Sequence, residues 1–317
     1  MFNWLLRLLA DKLSRHGNKN RINVLNYHRV GESYSAENPE KICWPLFRLQ
    51  IHWLNKYFTV LPLPLALELQ AANKLPPRVV CITIDDGYRD SYDFIFKALA
   101  EEEITGTFFI STKGLVAGRL WDEEIYHAVF HAPEPLKAIN INGKLFAMDT
   151  LAARVATRVE LTEYTKYLPL IERDKVMAMV VEQTQTRAKE NVFLTPEQIK
   201  EMHFAGMTIG AHTHNHPILT SENDDVVLDE IRQSKVILEK ILEQEVEYFS
   251  YPNGKYPKDF NDNHIEIVKA LGFKAALSTN WGALTDVDVE RYKIKRFTPW
   301  DDNEYKFVLR LALNYLK

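Results

Sequence analysis

The chain has 317 residues, of which 46% are hydrophobic and 26% charged. That composition excludes a disordered or fibrous polymer, and at this length a core can be buried without disulfides or structural metals. The net charge of -4 argues against a domain built to grip phosphate backbones, so no nucleic-acid partner is expected.

Residues 1–20 open the chain as an amphipathic helix. Phe2, Leu5, Leu6, Leu9 and Leu13 recur at helical spacing, with Arg7, Asp11, Lys12 and Arg15 between them. The segment is too short and too charged to span a bilayer, and it lacks the small-residue cleavage site of a signal peptide. Two readings stand: residues 1–15 lie on an anionic membrane with Trp4 at the interface, or the helix packs on its own domain. The missing export signal points to the cytoplasm, or to a peripheral place on the inner membrane face.

Beyond this helix, short β-rich runs alternate with helical patterns over 21–317. Strands are predicted at 22–26, Val79–Ile84 and 107–111, with helices over 47–57 and 91–102. The run Val79–Ile84 is almost wholly apolar, as in a strand covered on both faces. This order implies βαβ units and a parallel sheet. Residues 118–193 interrupt the rhythm as a mainly helical insertion, with a hairpin over 138–148 turning at Asn142-Gly143. Thr195, Pro196 and Gln198 then predict a capped helix to about Phe204. Further strands follow at 207–211, 248–251, 274–278 and 291–297, with helices over 224–244, 264–271 and 303–316. The two cysteines, Cys43 and Cys81, do not form a disulfide framework.

Two clusters carry chemistry. Asp85-Asp86-Gly87 follows the strand Val79–Ile84 directly, where a parallel sheet binds ligands. Adjacent carboxylates there are costly to desolvate unless a cation or hydrogen bonds compensate them. One can ligate a metal while the other accepts a proton. The plain alternative is an Asp-Gly turn. The second cluster, His212-Thr213-His214-Asn215-His216-Pro217, follows the strand at 207–211. His212 and His216, four apart, can face the same way on one helical turn. The clusters together offer two imidazoles and a carboxylate with open positions. Such a site suits hydrolysis with zinc, or oxygen chemistry with redox iron.

These motifs carry a resemblance. Thr83–Tyr88 (TIDDGY) and His212–Pro217 (HTHNHP) resemble the first two motifs of the polysaccharide deacetylases, the NodB-homology or carbohydrate esterase family 4 group. Residues 249–254 are similar to the third motif, and Gly272–Ala276 to the family's late strand entry. The stretch Asn26-Tyr27-His28-Arg29-Val30 looks like the opening signature of the bacterial exopolysaccharide branch. The resemblance covers about residues 22–300. It implies an α/β fold, a distorted (β/α) barrel of about seven strands. It also implies a divalent metal, most readily zinc with cobalt or nickel as alternatives, bound by Asp86, His212 and His216. Asp85 is then the general base, and the Asn253 backbone N–H an oxyanion donor. The sequence departs from the family in two places. Ser250 stands where an arginine often orients the base, and no histidine follows His264. In the branch with the early Tyr-His-Arg-Val signature the acid comes from the first strand, which points to His28 as acid or substrate ligand and leaves the identity of the acid open. Tyr251, Trp121, Trp300 and Asp301 are candidates for the walls of a sugar site.

The activity implied is removal of N-acetyl groups from an N-acetylhexosamine, in a polysaccharide or its lipid-linked precursor. An O-acetyl esterase or small-molecule amidohydrolase would use the same site. A catalytically decayed sugar-binding protein is the reading from another class.

Overall fold

The computed structural model describes residues 2–17, 19–38, 41–133, 135–186 and 191–317. Seven parallel strands form one curled sheet: β1 (Ile22–Tyr27), β2 (Thr59–Val60), β3 (Val79–Ile84), β4 (Thr107–Ile110), β5 (Thr208–Ala211), β6 (Tyr248–Ser250) and β7 (Ala275–Leu277). The order is β1-β3-β4-β5-β6-β7, with the short β2 paired to the start of β3. Parallel neighbours need crossovers, and helices such as Trp44–Tyr57, Pro196–Phe204 and Asp224–Leu242 supply them. The capping box is present: Thr195 Oγ1 accepts from Gln198 N, and Gln198 Oε1 accepts from Thr195 N.

The strand expected over 291–297 does not form as a regular element. Its backbone nevertheless closes the sheet. Ile294 bridges Leu277 of β7, and Phe297 bridges Leu25 of β1, so the segment lies between the two edge strands. Ser278 N donates to Ile294 O at 2.8 Å, and Phe297 N donates to Val24 O at 2.8 Å. The ladder breaks where Arg296 N turns to Asn280 O instead. The result is a distorted (β/α) barrel.

Strand alternation decides what fills the barrel. On β3, Val79 and Cys81 join Ile22, Val24, Phe109, Tyr248, Leu277 and Ile294 in one buried cluster inside the ring. Continuing the period of two, Thr83 and Asp85 face the same interior at the strands' carboxyl ends, beside Asn26, Ser250 and Arg296. The other face, with Val80, Ile82 and Ile84, packs beneath the surrounding helices. The lumen is therefore apolar at one end and polar at the end where a site belongs.

The region between β4 and β5 contains the helices Trp121–Phe130, Leu151–Lys166 and Leu170–Thr184, and the hairpin Ala138–Ile141 with Lys144–Ala147. Its own core includes Ile125, Val129, Ile139, Phe146, Leu161 and Val180. The N-terminal helix Phe2–Ser14 packs on the last helix, Glu304–Asn314, and buries Leu6 and Ala10. Trp4, Leu5 and Leu8 stay exposed, and the side chain of Phe2 lies outside the described residues. Membrane contact through residues 1–15 gains no support from this packing, because the helix spends its inner face on its own domain. Among the described residues no helix is long and apolar enough to cross a membrane.

Candidate metal centre

Asp85 and Asp86 leave the end of β3 in opposite senses because the chain turns sharply there. Asp86 has φ 77° and Gly87 φ 84°. A Cβ on Gly87 would come within 2.8 Å of Ile110 Cγ2, so glycine is required on both conformational and steric grounds. The turn aims Asp86 at the histidine loop that follows β5. The helical turn that the spacing of that loop allowed is absent. Residues 212–216 are irregular, and left-handed backbone at Thr213 (φ 62°) and His216 (φ 54°) brings the rings together instead. Each such non-glycine residue costs about 1–2 kcal/mol of backbone strain. His214, the third histidine, turns away and meets Thr112 Oγ1 at 2.8 Å.

The donors converge. Asp86 Oδ1 lies 3.5 Å from His212 Nε2 and 3.4 Å from His216 Nε2. One ligand atom from each of the three residues falls within 4.8 Å of the others. His212 Nδ1 is 2.7 Å from the Ser250 carbonyl oxygen. A carbonyl can only accept, so Nδ1 holds the proton and Nε2 turns its lone pair to the centre, as a ligating imidazole must. Two neutral nitrogens and a carboxylate around one point fit a divalent cation of borderline softness.

Asp85 is buried beside this point, its Oδ2 4.0 Å from His212 Nε2. Arg296 meets it with a two-pronged bond: Nη1 to Oδ1 and Nη2 to Oδ2, both 2.8 Å. The same guanidinium donates to Asn26 Oδ1, Thr83 Oγ1, Ser250 Oγ and the Ser278 carbonyl. Burial alone would raise the Asp85 carboxyl, but Arg296, with His212, outweighs it and holds the group below the ordinary carboxylate value. The arginine missing from the third motif is thus supplied from the closing segment. Arg296 escaped sequence reasoning, although Ile294 and Arg296 alternate with Lys293 and Lys295 as an inward and an outward set would.

A cleft of about 420 Å³ opens over these residues. His28, Asn253 and Trp121 line it together with Asp85, Asp86, His212 and His216. Asn253 also has left-handed backbone, with φ 59°. Two candidates for the sugar walls are elsewhere. Tyr251 falls on the outward parity of β6, is fully buried, and stacks on Phe260 at 3.6 Å between ring centres. Asp301 is buried and doubly bonded to Arg310. Trp300 is half exposed and stacks on Trp281 at 5.2 Å. Trp281, which sequence reasoning passed over, lines the cleft, as do Lys166 and Lys255.

Comparison with known proteins shows the family of the chain. The family description "Polysaccharide deacetylase" matches residues 72–151 and 159–276, well over half of the chain. The Bacillus subtilis (strain 168) protein YxkH, named for the same family, is 22% identical over 265 residues, covering 83% of this chain and 66% of its own length. Three solved structures share the fold. Streptococcus pyogenes deacetylase PplD, in complex with acetate, aligns with a TM-score of 0.64 at 20% identity, covering 93% of this chain and 99% of its own. IcaB from Ammonifex degensii aligns at 0.61 and 19%, covering 92% and 97%. A de-N-acetylase from Aggregatibacter actinomycetemcomitans aligns at 0.59 and 17%, covering 92% and 99%. With the family match spanning both the Asp85-Asp86 turn and the His212–His216 loop, the chain belongs to the polysaccharide deacetylase family.

Proposed function

We propose that the protein removes N-acetyl groups from an N-acetylhexosamine, in a polysaccharide or its lipid-linked precursor. The observation that carries this reading is the convergence of Asp86, His212 and His216 on one point, with Asp85 alongside. Those three residues would hold a divalent cation, zinc by the nitrogen-rich donor set, whose Lewis acidity polarises an acetamide carbonyl and makes water more acidic. Asp85, kept ionised by Arg296, takes the proton of the attacking water. The Asn253 N–H donates to the oxyanion that develops on the acetamide oxygen. His28 hands a proton to the departing amine. Trp121 and Trp281 give the cleft apolar walls for a sugar ring.

The decayed-scaffold alternative draws on two absences, the motif arginine and the late histidine. Arg296 at both oxygens of Asp85 answers the first, and His28 on the cleft wall is the proposed answer to the second. The test is to incubate the zinc-loaded protein with N-acetylated oligosaccharides and assay acetate and free amine together. Equal release of both supports the proposal, and it should vanish in Asp85→Asn. Acetate without new amine, from O-acetylated sugars alone, would favour an esterase. No acetate from any acetylated sugar, with folded and zinc-loaded protein, would overturn the hydrolase reading.

A further inference from the structure

The histidine loop is held from two sides, and one of them is the region inserted between β4 and β5. On the barrel side, Glu230 of the helix Asp224–Leu242 accepts from the backbone N–H of His214 (3.1 Å) and Asn215 (2.6 Å), and from Asn215 Nδ2. On the other side stands Arg173, from the helix Leu170–Thr184. Its Nη1 donates to the His216 carbonyl at 3.1 Å and its Nη2 to the Asn215 carbonyl at 2.6 Å. Amides of the loop thus face an anion while its carbonyls face a cation, which matches the direction of the peptide dipoles.

Arg173 is an unusual residue to find here. It is 2% exposed, and the partners of its guanidinium are backbone carbonyls rather than a carboxylate. Burying an arginine is costly unless its donors are used. Burial lowers its pKa to about 10, so it stays charged at neutral pH. The guanidinium carbon lies over the ring of Trp121, 5.1 Å from its centre, and Trp121 lines the cleft. Two more bonds tie the start of this helix and the turn before it to barrel loops: Leu170 N donates to Glu222, and Tyr167 Oη, at the end of the preceding helix, donates to Asp259. Backbone such as that of His216, with φ 54°, persists only where its surroundings over-determine it.

We infer that Arg173 is a positioning residue for the metal centre: by gripping the Asn215 and His216 carbonyls it holds the His216 imidazole toward Asp86 and so sets the affinity for the cation. The inference rests on the proposed metal site and extends it to a residue outside the family's motifs. It makes the inserted region a working part of the centre rather than an attachment.

The experiment uses the full chain as wild type, Arg173→Met, Arg173→Lys and Arg154→Met. Arg154 is the control. It is also buried in the inserted region, but donates to the Met148 and Val129 carbonyls, away from the site. Zinc dissociation constants are measured by competition with a chromophoric chelator, and the visible absorption of the cobalt form reports coordination. Arg173→Met should weaken zinc binding by about 10–100-fold, the usual effect of removing a group that orients a ligand. It should also alter the cobalt spectrum. Arg173→Lys, able to reach one carbonyl, should recover part of the affinity. It decides the matter should the methionine variant fail to fold. Arg154→Met should bind zinc like the wild type even though it melts earlier. Wild-type affinity and spectrum in Arg173→Met overturn the inference, as does an equal loss in Arg154→Met. A wild type that binds no zinc overturns the proposed function itself, which is a separate and visible outcome.

Discussion

Asp85 depends on a residue 211 positions away. Replacing Arg296 by Gln would leave a buried carboxylate without its counter-charge, and breaking a buried pair in this way costs about 3–5 kcal/mol. Arg296→Gln should therefore lower the free energy of unfolding in denaturant by that order and reduce turnover. A variant with wild-type stability would mean that water or another cation serves Asp85 instead. Gly254 offers a second test. Its φ is +71°, and an added Cβ would sit 2.7 Å from the Tyr251 carbonyl oxygen and 3.2 Å from Thr279 N, neither of which is a flexible side-chain end. Gly254→Ala should destabilise by more than about 1 kcal/mol, read from the same unfolding curves. At this scale the candidate metal cluster was legible because its chemistry is packed into two short runs, each at a strand end. Arg296 was not, since the local alternation with Lys293 and Lys295 cannot say that a charged residue falls on the inward set until the barrel gives the parity. The same parity explains why Tyr251, next to the site in sequence, points out of it.

Elements are joined by a buried charge cluster at the end of β1. Arg29 pairs with Asp90 and with Glu123 of the helix Trp121–Phe130, each at 2.9 Å, and lies 3.8 Å over the ring of Tyr88. Burial raises the carboxyl pKa of both acids, more than Arg29 lowers it. A carboxylate with a raised folded pKa favours the fold when protonated, so this contribution grows as pH falls through the raised value and levels off below the ordinary one. Glu123→Gln imitates the protonated acid. Its melting temperature should exceed that of the wild type at neutral pH, and the gap should narrow toward pH 4. A gap that widened in acid would reverse the sign of this account. Most elements could be read from periodicity, the hairpin at Asn142-Gly143 and the capping box at Thr195 among them. The helix expected over 91–102 begins as a wider π turn, Ser91–Phe96, before becoming α-helical at Lys97–Glu101. Side-chain periodicity cannot tell the two apart. Such turns recur near functional sites, and this one follows the Asp85-Asp86 turn closely.

For the molecule as a whole, a bound cation is also a stabilising ligand. If Asp86, His212 and His216 hold zinc, free zinc at 100 times its dissociation constant should add about 2.7 kcal/mol to stability. Calorimetry should then show an upward shift of several degrees that a chelator reverses and Asp86→Ala abolishes. No shift in the wild type would count against the site. The barrel could be anticipated from alternating strands and helices. Its mode of closure could not, because residues 291–297 join both edges without keeping a regular ladder.

That seam has a further consequence, in time rather than space. A ribosome makes Asp85 long before it makes Arg296, and the segment that zips the ring shut is the one that delivers the counter-charge. Until it docks, the nascent chain has neither a sealed wall nor a partner for the Asp85 carboxylate. If Asp85 is the base, a chain stopped just short of Arg296 should be inert even with Asp86, His212 and His216 in place.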